Sequence, residues 1–147
     1  MMLLKRKGMS RIRLEIEDSF DFRMLGISCH EKDYRLVWAL NQHAGFLLER
    51  KDDIKLDGGK SKSSPFPFYE QVDEEHFKTY QLLANRFGNS YFLPELPAID
   101  FLFFVRGDAD DNDVENLLER ILRVEFVVLA SELDITKIRQ KENLLFF

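Results

Sequence analysis

The order of apolar and polar residues divides the chain into short strands and two helices. Residues 11–17 alternate strictly, with Ile12, Leu14 and Ile16 on one side and Arg11, Arg13, Glu15 and Glu17 on the other. That period predicts a half-buried strand with one wet face. Asp18-Ser19 can turn the chain, and residues 20–27 predict a second strand. Ser28 and Glu31 then have the spacing of a capping box, in which each side chain satisfies an orphan donor at a helix start. The helix is expected to run to about Ala44, where Gly45 can take the left-handed position that ends it. Its apolar arc is drawn to include Tyr34, Leu36, Val37, Trp38, Leu40 and Ala44, leaving Arg35, Gln42 and His43 outside.

Residues 46–56 are extended material interrupted by Lys51-Asp52-Asp53, which predicts one strand or a short hairpin. The small polar residues of 57–65 predict a loop. Residues 66–71 and 76–83 read as strands joined by an acidic turn at 72–75, and 85–90 as a further loop. Residues 99–105 are nearly all apolar, which suits a central strand covered on both faces. A capping-box spacing at Asn112 and Glu115 opens a second helix, on which Val114, Leu117, Leu118 and Ile121 repeat at helical spacing. Residues 124–129 predict another strand, so 99–130 form a strand–helix–strand unit, with a right-handed crossover if its strands are parallel. A helical turn near residues 134–138 and an apolar end at 144–147 follow.

The expectation is therefore α+β: a single two-layer domain with a mostly antiparallel or mixed sheet, two main helices and a C-terminal strand–helix–strand unit. Residues 1–10 are expected to be a disordered tail and 11–147 the domain. At 147 residues the chain is long enough for one sizeable core. Its 14 phenylalanines, against one tryptophan and four tyrosines, imply that the core packs through phenyl rings.

Charge and cysteine content narrow the functions. A net charge of −5, with the one dense basic run at Lys5-Arg6-Lys7, argues against a nucleic-acid partner, which needs a basic face. No stretch has the length of a membrane span or the order of a signal peptide. The single cysteine, Cys29, can form neither an internal disulfide nor a cysteine-based zinc site and fits a reducing, cytoplasmic setting. Phosphate-binding glycine loops, nucleophile elbows and zinc-helix motifs are missing from the sequence. His30, His43 and His76 lie in separate elements. Asp108, Asp110, Asn112 and Glu119 match part of a calcium loop, but Asp113 stands where its sharp turn needs glycine and Glu115 where an apolar residue is usual. A carboxylate cluster complementing a helix start accounts for them. No metal or cofactor is expected.

Four residues remain as a candidate binding set. Asn41 interrupts the apolar arc of the first helix, and a buried amide without partners costs about 1–3 kcal/mol. Asp33 points toward the same arc from the first turn. Glu95 stands on a stiff entry between Pro94 and Pro97, and Asp100 is expected inside the apolar strand, where a lone charge is costly.

The run from Leu93 to Phe101 resembles the IPExxxVDY family of small bacterial proteins. Pro94, Glu95 and Asp100 keep its defining residues at the right spacing; Leu93 and Ile99 are conservative departures, and Phe101 stands where the family has tyrosine. Residues 33–36 and 141–146 look similar to the family as well. The resemblance implies a bacterial cytoplasmic protein, without an established activity. The leading expectation is a non-catalytic binding or regulatory module, with a homodimer as one form and a protein or small molecule as partner. The alternative is a small enzyme using Glu95 and Asp100 as an acid–base pair, with Asp33 or Asn41 orienting the substrate; such a pair works only where environments push the two pKa values apart.

Overall fold

A computed structural model describes residues 21–56 and 65–146, the side chains of 145 and 146 excepted. The expected tail at 1–10, strand at 11–17, turn at 18–19 and most of the loop at 57–65 lie outside the described residues.

Six strands form an antiparallel sheet: β1 (Phe22–Cys29), β2 (Glu49–Lys55), β3 (Pro65–Asp73), β4 (Lys78–Ala84), β7 (Phe101–Gly107) and β8 (Val127–Leu133), in the order β2-β3-β4-β7-β1-β8. A two-stranded ribbon, β5 (Arg86–Phe87) with β6 (Ser90–Tyr91), occupies the expected loop after Asn85. Helices α1 (Asp33–His43) and α2 (Asp111–Ile121) complete the regular structure, with 3₁₀ turns η1 (Ile135–Lys137) and η2 (Lys141–Phe146) at the end. The architecture is α+β, as the pattern predicts.

β7 is central because its two sets of side chains serve two cores. Phe101, Phe103 and Val105 join Leu25 and Ile27 of β1 under α1 and α2, which contribute Leu36, Leu40, Leu117 and Ile121. Leu102 and Phe104 join Met24, Leu83, Phe66 and Phe68 on the opposite face, which is covered by Phe92, Leu93, Ile99, Ile138 and Leu144. Irregular backbone thus seals the second face. Phe46, Phe66, Phe92, Phe103 and Phe104 are fully buried, and the Phe46–Phe103 and Phe66–Phe92 rings meet edge to face.

β7 and β8 both run antiparallel to β1, which lies between them, so the strand–helix–strand unit is split by an inserted strand. Several boundaries depart from expectation. Ser28 does not cap a helix: β1 continues to Cys29, the Ser28 hydroxyl donates to Ala98 O, and α1 starts at Asp33 after Lys32 without a side-chain cap. Gly45 does end α1 with φ +78°. Tyr34 and Trp38 are exposed, because the buried stripe runs through Leu36, Val37, Ala39, Leu40 and Ala44, and the arc was drawn too wide. The α2 capping box is Asp110 with Asp113, two residues before the expected pair, so Asp110 and Asp113 serve the helix start. Turns take up Val124, and β8 begins only at Val127. His76 lies in the β3–β4 turn outside either strand.

Candidate functional site

The motif run is a framework whose centre is Asn85, which sequence reasoning left in a loop. Its side chain is fully buried: Nδ2 donates to Leu96 O and Ile99 O at 3.0 and 2.8 Å, and Oδ1 accepts from Leu93 N at 2.8 Å. Its backbone N–H donates to Asp100 O and its carbonyl accepts from Phe92 N. One amide therefore sets the path of residues 92–100. Gly26 gives that path room, since a Cβ there would stand 3.0 Å from the Ile99 side chain.

Glu95 accepts from the backbone N–H groups of Arg139 and Gln140 at 2.9–3.0 Å, pinning the link between η1 and η2 to the motif. Asp100 sits one residue before β7 rather than inside it. Its Oδ2 accepts from Cys29 N at 2.9 Å where the β1–β8 register shifts, and its Oδ1 lies 3.5 Å from the Arg86 guanidinium. Phe101 is buried beneath the helices.

The other two predicted residues lie on the helix side of the sheet. Asn41 uses both ends of its amide on Leu48, donating to the carbonyl at 3.1 Å and accepting from the N–H at 2.9 Å, so it ties α1 to the entry of β2. Asp33 accepts from the Tyr69 hydroxyl at 2.5 Å and lies 3.5 Å from Arg50, which also pairs with Asp53. Burial and then the Asp33 carboxylate push the Tyr69 phenol up to about 12. The structure does not bring Asp33, Asn41, Glu95 and Asp100 together: each holds a different junction.

Side chains from three elements do converge elsewhere. A cavity of about 340 Å³ lies between the β3–β4 turn and α2, lined by Gly45, Asp73, His76, Lys78, Tyr80, Asp113, Asn116, Leu117 and Arg120. Asp73 accepts from His76 through both its backbone N–H (3.2 Å) and, in the tautomer that donates, ring Nδ1 (3.0 Å). The histidine bond is the main reason the Asp73 carboxyl is held below its usual range. Lys78 Nζ is 3.7 Å from Asp113, whose Oδ2 is also occupied by Asp110 N–H. Arg120 donates to Ala44 O and Gly45 O at 2.8 and 2.9 Å, with its guanidinium 4.1 Å from the Phe46 ring centroid. Tyr80 is buried, which pushes its phenol up, with nearby Asp73 adding to the effect.

The turn beside this cavity is strained and uncovered. Phe77 has φ +56° and is 82% exposed, an unfavourable backbone well for a side chain that gains no burial from it. Opposite it, Gly107 has φ +104°, and a Cβ there would lie 2.3 Å from Phe77 O. Sequence reasoning missed the cavity because its residues are scattered from 45 to 120 and form no local motif.

No family model, curated protein or solved structure matches this chain. Among the described residues, no group of three or more histidine, cysteine or acidic residues could hold a metal ion, and no helix is long and apolar enough to cross a membrane.

Proposed function

We propose that this protein is a non-catalytic binding module in which the motif run holds the frame and the cavity between the β3–β4 turn and α2 receives a small-molecule ligand. The observation that carries this reading is the convergence of Lys78, Tyr80 and Arg120 with the Asp73–His76 pair in one concave space of ligand size. The lining holds no serine, threonine or cysteine for His76 to activate. The enzyme alternative asks Glu95 and Asp100 to face a common substrate, whereas Glu95 is committed to residues 139–140 and Asp100 to Cys29. Equilibrium dialysis of the protein against a bacterial metabolite extract, read by mass spectrometry, tests the proposal. Enrichment of a few metabolites, lost in a folded Lys78→Met variant, is expected. Enrichment that survives Lys78→Met but disappears in a folded Glu95→Gln variant would instead place the site at the motif.

A further inference from the structure

We infer that the occupant of this cavity presents a compact anionic group, a carboxylate or a phosphate, to Lys78, Tyr80 and Arg120. The inference rests on the reading of the cavity as the ligand site and goes on from its balance of donors and acceptors. The two carboxylates in the lining are engaged: Asp73 holds His76 through both oxygens, and Asp113 accepts from Asp110 N–H beside Lys78. The donors are in surplus. The Lys78 ammonium carries three protons, and its ion pair among the described residues is with Asp113, at 3.7 Å. Arg120 binds its two carbonyls through Nε and Nη2 and also interacts with the Tyr80 oxygen, which leaves the Tyr80 O–H free to donate.

Position strengthens these donors. The Lys78 side chain is only 14% exposed, and stacking on Phe46 together with the two carbonyl bonds fixes the Arg120 fork in place. Cations partly withdrawn from water attract an anion more strongly than surface lysines do, and a pre-oriented guanidinium loses little freedom on binding it. Lys78 and Arg120 together offset Asp73 and Asp113 in formal charge, so the preference for an anionic head rests on the orientation of the unengaged donors rather than on net charge.

The test is a ¹⁵N-correlation titration of the whole chain with four probes at constant ionic strength: inorganic phosphate, acetate, neutral ribose and cationic ethylammonium. Saturable shifts at Gly45, Lys78 and Asn116 are expected with phosphate or acetate, and the tighter of the two identifies the head group. Lys78→Met should raise that Kd at least tenfold and Tyr80→Phe severalfold. Tyr80→Phe keeps the buried ring, so it carries the test should Lys78→Met fold poorly. Unchanged affinity in a folded Lys78→Met protein, or in Tyr80→Phe where that variant is unfolded, overturns the inference. Saturation by ribose or ethylammonium while both anions fail leaves the cavity as the site and overturns the anionic class alone. Failure of all four probes overturns both.

Discussion

Two residues carry energetic signatures that single substitutions can read. Tyr69 is held neutral by burial and by its hydrogen bond to Asp33, so its pKa in the folded protein, about 12, exceeds the ordinary value of 10.0. A raised pKa means that the fold favours the protonated phenol. That contribution is fully present below about pH 10 and is lost as pH rises through about 12. Tyrosinate absorbance should therefore show a late-titrating amplitude that falls by one tyrosine in Tyr69→Phe, the buried Tyr80 supplying what remains; an unchanged late amplitude in that variant would contradict the Tyr69–Asp33 bond. Phe77 is the second case. Its left-handed backbone costs roughly 1 kcal/mol in a non-glycine residue, and its exposed ring recovers little. Phe77→Gly should raise the thermal midpoint by about 3 °C, and a fall of that size would show that the ring is holding the turn. If the variant is more stable and also binds ligand more weakly, the strain is retained for recognition.

At the scale of elements, the connection between β4 and β7 depends on Asn85 more than on either motif acid. Asn85→Ala removes three side-chain hydrogen bonds at a fully buried site and should cost about 3 kcal/mol or more by denaturant unfolding. A loss below about 1 kcal/mol would mean that the prolines alone set this path. Asn41→Leu should likewise destabilise, because Leu48 N–H and C=O both lose a partner, without changing the sedimentation-derived mass. A changed mass would place Asn41 at a subunit interface. Much of this level was legible in the sequence: β7 from its unbroken apolar run, α2 from the spacing of Val114, Leu117 and Ile121, and the significance of Asn41 from its break in an apolar stripe. The α1 start was not, because Ser28 and Glu31 match a capping box locally while strand pairing with β8 claims residues through Cys29. Asn85 was hidden for a related reason. A polar residue before a turn reads as solvated until the tertiary fold buries it.

The whole molecule divides its polar groups between two tasks. On the loop-covered face, Asn85, Glu95 and Asp100 join stretches of chain far apart in sequence, and none of their bonds needs a ligand. At the far end of the β3–β4 hairpin, Lys78, Tyr80 and Arg120 gather with Asp73 and His76 around open space. Groups that hold a fold and groups that wait for a ligand differ in what their loss does to stability, since functional groups are commonly kept at some cost to the fold. Glu95 and Asp100 were legible because they share one contiguous run; the cavity residues could not be, because topology alone brings residues 45, 73–80 and 113–120 together. The most direct test compares the thermal midpoints of Glu95→Gln and Asp100→Asn with those of His76→Gln and Lys78→Met. Lowered midpoints are expected in the motif pair, with the cavity pair unchanged or raised. Unchanged or raised midpoints in both motif variants, alongside a fall in both cavity variants, would contradict this division of tasks.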